Sequence, residues 1–237
     1  MKLKNFTLLL ATATMVIMDM TGMGSVRANA GVLELSGIGG AQFNVPVASL
    51  KEVRFKTTLR QQFDFSCGSA AVATLLTHHY GFPITERLVF EQMFARGDQN
   101  KIRREGFSLL DMKRFLQERG FTGDGFKLPL DKLIDVGLPA IVLVSDKGYN
   151  HFVVVKGIRG GRVLLGDPSS GARAIARETF ESMWVNKLLF VIHGGPGKAR
   201  FNDAADWRTA PVAALELGVN RESLTNITLP KNGPGDF

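Results

Sequence analysis

The fold is decided by residues 61–76, which read QQFDFSCGSAAVATLL. This stretch contains Cys67, the only cysteine of the 237-residue chain. The small and apolar residues after Cys67 are closed by Gly81 and Pro83, which predicts a helix over 67–80 that begins at the thiol. A helix N-terminus lowers the pKa of a thiol, because its unpaired N–H groups carry partial positive charge. The stretch therefore predicts a cysteine nucleophile.

The first thirty residues predict an export signal. Two lysines precede an apolar stretch over 6–18, and the sequence ANA at 28–30 supplies the small residues that a signal peptidase requires. The apolar run ends at Asp19, short of the roughly 20 residues that span a bilayer. We therefore expect residues 1–30 to be a cleaved signal peptide of a periplasmic protein. An uncleaved membrane anchor is the alternative.

The composition of the exported chain limits the classes of protein to which it can belong. The formal net charge of +7 falls to +5 without residues 1–30, since three basic residues and one acidic residue are lost. The basic residues form no stripe interleaved with aromatics, so nucleic-acid binding is not supported. In an oxidising compartment a single thiol is either a buried, inert hydrophobe or reactive. The remaining 207 residues suffice for one domain.

The chain divides into three parts after the signal. We predict an extended lead-in over 31–50, one folded domain over 51–195 and a polar tail over 196–237 that is partly disordered or wraps the domain. Further helices are predicted over 86–95, ahead of a polar loop at 97–100, and over 108–120, where Ser108 and Asp111 resemble a capping box. The expected buried stripe of the last helix consists of Leu109, Met112, Phe115 and Leu116.

The second half of the domain changes to the period of strands. A hairpin turn is predicted at Gly160-Gly161 and a short helix over 179–184. Helices followed by an antiparallel sheet predict an α+β domain. The predicted strands cover 139–144, 152–155, 162–165 and 188–192.

The nucleophile needs a base, and His151 is the candidate. It opens a buried strand, whereas His78 and His79 lie eleven or more residues along the helix that Cys67 starts. His193 follows the last strand and reads as a strand-end residue. The Gly160-Gly161 hairpin should place Asp167 beside His151, where a carboxylate can orient the imidazole.

An oxyanion donor is also available upstream of the nucleophile. Gln61 lies six residues before Cys67 and can place its amide beside the main-chain N–H of Cys67. Neighbouring side chains of an extended segment point to opposite faces, so only one of Gln61 and Gln62 can serve.

These residues together resemble the bacteriocin-processing, double-glycine leader peptidases, cysteine peptidase family 39. The similarity rests on Gln61 with Cys67-Gly68, on His151 before an apolar strand and on Asp167-Pro168 after one turn, and it runs from about residue 59 to 192. The resemblance implies a papain-like fold with a helical half packed on a C-terminal antiparallel sheet.

The resemblance also implies the catalytic roles. Cys67 attacks the peptide carbonyl, His151 is general base and then acid, Asp167 orients it, and Gln61 stabilises the oxyanion. Family spacing favours Gln61 over Gln62. Because the chain carries an export signal and no transporter, it is similar to the free-standing peptidase of functional-amyloid secretion systems. The implied substrate is an exported polypeptide or leader segment, cut after Gly-Gly, and the implied partners are outer-membrane secretion components.

Two other functions remain open at this stage. One is a catalytically silent peptide-binding accessory or chaperone of a secretion system, and the other is a Cys-His peptidoglycan hydrolase or transferase. Cofactors and metals are not expected, since His78-His79 is the one close pair of ligand-type residues and adjacent helical residues point apart. Self-cleavage at Gly39-Gly40 is a weak hypothesis, because 26 glycines predict about as many adjacent pairs as occur.

Overall fold

The computed structural model describes residues 31–36, 42–146 and 148–209. The predicted signal peptide, the Gly39-Gly40 pair and residues 210–237 of the predicted tail lie outside the described residues. Among the residues described, no helix has both the length and the apolar character needed to cross a membrane.

The chain forms two compact units, which divide after Val47. In the first, strands β1 (Gly31–Ser36) and β2 (Gln42–Val47) pair antiparallel along their whole length. The predicted lead-in over 31–50 thus contains two strands, the second of which ends at Val47. Leu50, the last residue of the predicted lead-in, begins the first helix of the second unit.

The helices that precede the main sheet follow the sequence prediction closely. A π-helical turn over Leu75–His79 extends the helix that begins at Cys67, so this run ends one residue before the predicted position. The predicted capping box is confirmed, since Ser108 and Asp111 exchange hydrogen bonds at 2.8 and 3.2 Å. The helices are α1 (Leu50–Phe55), α2 (Cys67–Thr74), α3 (Glu86–Arg96), α4 (Gln99–Glu105) and α5 (Leu109–Gln117).

Helix α4 corrects the polar loop predicted over 97–100. The side chain of Asp98 accepts a hydrogen bond from the main-chain N–H of Lys101 at 3.0 Å, and this cap starts the helix. Ile102 is its one buried residue. The helix was missed because it lacks the apolar stripe by which a helix is recognised in a sequence.

Six antiparallel strands form the main sheet in the order β3-β8-β4-β5-β6-β7. The α+β class predicted from the sequence is therefore confirmed. Strands β3 and β7 were not predicted, because they are rich in glycine and alanine rather than β-branched residues. The strands are β3 (Thr122–Phe126), β4 (Ala140–Asp146), β5 (Tyr149–Arg159), β6 (Arg162–Asp167), β7 (Gly171–Ala176) and β8 (Leu189–Gly194), with helices α6 (Lys132–Val136), α7 (Arg177–Met183) and α8 (Ala204–Thr209).

The β5–β6 hairpin places the polar residues of the site. Gly160 and Gly161 turn the chain with φ of +57° and +68°, the left-handed conformation that a tight two-residue turn requires. Val154 lies opposite Gly166, and β5 continues past this last pair toward its N-terminal end. His151 and Asp167 are therefore diagonal neighbours on one face of the hairpin.

The core lies on both faces of the sheet. Helices α2 and α5 cover one face, and α3 packs against these two helices. Leu75, Met112 and Val154 belong to one buried cluster on this face. The neighbouring residues Val153 and Val155 point the other way and pack with Phe180 in a second cluster. This alternation, which strand geometry imposes, buries β5 on both faces.

The described part of the predicted tail, residues 196–209, lies on the sheet. The N–H of Asn202 donates to the carbonyl of Lys156, and the Oδ1 of Asn202 accepts from the N–H of Ile158 at 2.7 Å. The buried Nζ of Lys156 donates to the carboxylate of Asp206 at 2.9 Å. These contacts attach the segment to β5 at the point where its register with β6 shifts.

Candidate active site

Cys67 is the first residue of α2, and Ser66 is the N-cap. The thiol is nearly enclosed, with 6% of the residue exposed. A Cβ added to Gly68 would lie 2.7 Å from the Cε of Met112 and 3.0 Å from the Cβ of Phe107. The Cys-Gly pair therefore lets the first turn of α2 pack directly against α5 and its entry, which fixes the position of the thiol.

The surroundings of the Cys67 thiol correct its predicted ionisation. Burial raises the pKa of the thiol, and main-chain N–H groups of Phe152, Gly68 and Cys67 itself oppose this effect without overcoming it. The N–H of Phe152 donates to the Sγ at 3.5 Å. The helix N-terminus acts in the expected direction, but burial is the larger effect on the pKa of the thiol.

His151 and Asp167 meet as the hairpin predicts. The Nε2 of His151 lies 3.3 Å from the Oδ2 of Asp167, and both residues are buried. Since a carboxylate only accepts, Nε2 carries the proton of the neutral ring. The other nitrogen, Nδ1, is buried and has no hydrogen-bond partner in the part of the chain that the structure describes. It is therefore the nitrogen available to a thiol.

Asp167 is held as a carboxylate by several donors. Burial would raise its pKa, but hydrogen bonds from His151 and Ser169 outweigh burial and hold the pKa of Asp167 well below its usual range. The N–H and Oγ of Ser169 donate to Oδ1 at 2.8 and 2.7 Å, and the N–H of Ser170 lies 3.3 Å away. The Nη2 of Arg173 lies 3.2 Å from Oδ2, the same oxygen that faces His151.

Gln61 lies on the loop that leads into α2. Its main-chain N–H donates to the carbonyl of Pro168, which ties this loop to the turn after Asp167. Its side-chain Nε2 donates to the carbonyl of Phe63 at 3.0 Å and lies 3.4 Å from that of Asp64. Gln62 is exposed. The role of Gln61 as an oxyanion donor stays a prediction.

The remaining histidines lie away from this centre. His78 and His79 end the π-helical turn at the far end of the helix, and His79 contacts the carbonyl of Arg200. The Nε2 of His193 lies 2.8 Å from the carboxylate of Asp124 at the surface. Of the four histidines, His151 is the one next in sequence to Phe152, whose N–H contacts the thiol, and its role as the base stays a prediction.

With this geometry established, comparison with known proteins decides the family. Residues 56–194 match the peptidase C39 family. The chain belongs to this family. It is 39% identical over 166 residues to the probable functional amyloid protease FapD of Pseudomonas fluorescens, with 70% of this chain and 73% of the relative covered. The protein of the same name from Pseudomonas aeruginosa is 39% identical over 156 residues, which cover 66% and 69% of the two chains.

The chain is also similar to part of a solved structure. The crystal structure of the peptidase domain of Streptococcus ComA has a TM-score of 0.49 and 23% identity, and the match covers 59% of this chain and 98% of that domain. The predicted cysteine peptidase is confirmed by the family match and by the FapD relatives.

Two residues of this C39 peptidase's site were missed by the sequence reasoning. Tyr149 stacks on the imidazole of His151, and Arg173 contacts Asp167. The position of Tyr149 two residues before His151 on a strand could have indicated the first contact. Arg173 lies on β7, whose strand the sequence analysis did not find, so no signal was available for it.

A small apolar cavity lies against Phe152 in this C39 peptidase. Its volume is about 90 Å³, and Phe152, whose N–H contacts the Sγ of Cys67, forms part of its wall. The other lining residues are Leu109, Ile141, Leu143, Val185, Asn186 and Leu188. The cavity can accept one apolar side chain of a bound peptide.

Proposed function

We propose that this C39 peptidase cuts an exported polypeptide in the periplasm, with Cys67 as the nucleophile. The observation that carries the proposal is the hydrogen bond from the N–H of Phe152 to the Sγ of Cys67. In this contact the thiol meets the main chain of the residue that follows His151. Among the described residues, the buried Nδ1 of His151 has no hydrogen-bond partner, which supports its role as the base. A silent peptide-binding accessory needs neither the thiol nor the base.

The proposed reaction uses the imidazole tautomer that the contact with Asp167 favours, with its proton on Nε2. As the Sγ attacks the carbonyl carbon, Nδ1 of His151 takes the thiol proton. The C–N bond then breaks, and the imidazolium gives this proton to the leaving amine. Water hydrolyses the thioester with His151 again as base, which releases the new carboxylate and restores the thiol.

Two further groups complete the proposed machinery. Asp167 stabilises the imidazolium and fixes the tautomer, because its carboxylate stays ionised beside Nε2. The main-chain N–H of Cys67 and the amide of Gln61 donate to the oxyanion. In the resting structure this amide is engaged with loop carbonyls, so substrate binding redirects one of its N–H groups.

The proposed substrate is a component of functional-amyloid or biofilm assembly. Support comes from the FapD relatives, which are named probable functional amyloid proteases. We also propose that cleavage after paired glycines is retained and that outer-membrane secretion components are partners. The cavity beside Phe152 supplies a subsite for an apolar residue of the substrate.

The experiment that tests this function compares exported proteins by terminal-peptide mass spectrometry. Cells with the wild type should show protein termini that are missing with Cys67→Ala and with His151→Ala. His193→Ala is the matched control, and it should retain the wild-type termini because His193 lies at the surface beside Asp124. Identical termini in all four strains would refute the peptidase function, and release of fragments from purified peptidoglycan would favour the hydrolase alternative.

Location is tested separately from activity. We expect the protein in the periplasmic fraction, with the intact mass of a chain whose first residue is Gly31. The Cys67→Ala protein should have the same first residue. A membrane-bound protein that keeps residues 1–30 would support the uncleaved anchor instead. A wild type that begins at Ala41, together with a Cys67→Ala protein that does not, would establish self-cleavage after Gly40.

A further inference from the structure

Tyr149 covers the imidazole of the catalytic pair. It is the first residue of β5 and lies two residues before His151, so both side chains project from the same face of the strand. The two rings stack with centroids 5.6 Å apart and planes inclined by 24°. Tyr149 is 52% exposed, whereas His151 is 5% exposed. The phenol ring therefore separates the imidazole from solvent on one side.

The hydroxyl of Tyr149 makes a second contact, to the loop that precedes Cys67. It donates to the carbonyl of Asp64 at 2.8 Å, across 85 residues of sequence. The same carbonyl lies 3.4 Å from the Nε2 of Gln61. One side chain thus connects the strand of the base with the loop that carries the nucleophile and the predicted oxyanion donor.

The charge state of Tyr149 suits this role. Burial raises the pKa of its hydroxyl, and the proximity of Cys67, Asp64 and Asp167 raises it further. The hydroxyl therefore stays protonated through the neutral and mildly alkaline range and acts as a hydrogen-bond donor. It does not compete with His151 as a base.

We propose that Tyr149 is a positioning residue of the catalytic centre. Its ring fixes the plane of the His151 imidazole and keeps water from the contact between His151 and Asp167. Its hydroxyl fixes the loop over 61–66 relative to β5. The inference rests on the proposed peptidase function. The orientation of the His151 ring affects the rate of reaction only if its Nδ1 takes the proton of the thiol.

Two variants separate the two contacts. Tyr149→Phe keeps the stacked ring and loses the hydrogen bond to Asp64, whereas Tyr149→Leu loses both. For hydrolysis of a synthetic peptide that contains a Gly-Gly site, we expect Tyr149→Phe to lower kcat about 3- to 10-fold and Tyr149→Leu to lower it about 30- to 100-fold. Because the side chain is half exposed, both variants should keep a Tm close to that of the wild type.

Tyr80→Phe is the matched control, since Tyr80 is the other tyrosine of the chain and its hydroxyl also donates to a main-chain carbonyl, that of Ile192 at 2.6 Å. We expect it to lower Tm and leave kcat unchanged. If Tyr149→Leu has kcat within twofold of the wild type, the proposal is wrong. It is also wrong if kcat falls only in proportion to the fraction of protein unfolded.

A second measurement needs no substrate and so separates this inference from the proposed function. Iodoacetamide labels Cys67 alone, because the chain has no other cysteine. If the imidazole is held for proton removal, Tyr149→Leu should be alkylated several-fold more slowly than the wild type at pH 7, with Tyr149→Phe between them. Equal rates would overturn the positioning role. Faster labelling would overturn it too, since it would show that Tyr149 only shields the thiol.

Discussion

Acid should destabilise this fold through His79, which lies far from the catalytic centre. The ring is buried, and its Nδ1 lies 2.6 Å from the carbonyl oxygen of Arg200. Since a carbonyl only accepts, Nδ1 carries the proton of the neutral ring, and the buried Nε2 has no hydrogen-bond partner among the residues described. Burial, together with the nearby charge of Lys156, lowers the pKa of His79 to about 4.

The sign and size of the effect follow from this pKa. An unfolded chain, in which histidine titrates near 6.5, binds a proton between pH 7 and 4 that the folded protein does not bind. The free energy of unfolding therefore falls as the pH falls. The difference between 6.5 and about 4 corresponds to about 3 kcal/mol. This stability is fully present above pH 6.5 and is lost as the pH falls through about 4.

The assay is urea denaturation at several pH values between 7 and 4. His79→Gln removes the titration, while its amide can still donate to the carbonyl of Arg200. The difference in unfolding free energy between the wild type and this variant should change by about 3 kcal/mol over the range. His78→Gln is the neighbouring control and should change it less, because His78 is only half-buried and its pKa is lowered to a smaller extent. Parallel curves for the wild type and His79→Gln would refute the reasoning.

The catalytic centre gives three further predictions. Gln61→Ala should lower kcat by about 10²- to 10³-fold with little change in Tm, whereas Gln62→Ala should stay within a few-fold of the wild type; a reversed ranking in steady-state assays would move the oxyanion role to Gln62. Asp167→Asn keeps an acceptor for Ser169 but loses the charge beside the base, so kcat should fall by about 10²- to 10⁴-fold; wild-type turnover from pH 6 to 8 would leave Asp167 as a turn residue. EDTA should leave peptide hydrolysis unchanged, and a loss that zinc restores would overturn the thiol mechanism.

The sequence was sufficient where short-range geometry decides the structure. The Gly160-Gly161 turn and the strand period together specify that Asp167 lies beside His151, and the structure places them 3.3 Å apart. The start of α2 at Cys67 was predictable for the same reason, because small residues and a clear stop define the helix without reference to the rest of the fold.

Contacts between distant segments were not predictable in this way. Arg173 reaches Asp167 from a strand whose glycine and alanine content hides it, and Tyr149 contacts a carbonyl 85 residues away. The burial of Lys156 against Asp206 was equally hidden, since a lysine within an apolar strand shows no partner in the sequence. Such contacts depend on which surfaces pack together, and the packing of the whole core determines this.

The thiol shows how packing can reverse a local rule. The start of a helix lowers the pKa of a cysteine, yet the burial of Cys67 raises it, and burial is the larger effect. In the proposed mechanism, the nucleophile is generated when His151 takes the proton of Cys67 during attack. Oxidants react with the thiolate and not with the thiol. A thiol whose pKa is raised by burial presents less thiolate to oxidants, which suits the oxidising compartment proposed for this protein.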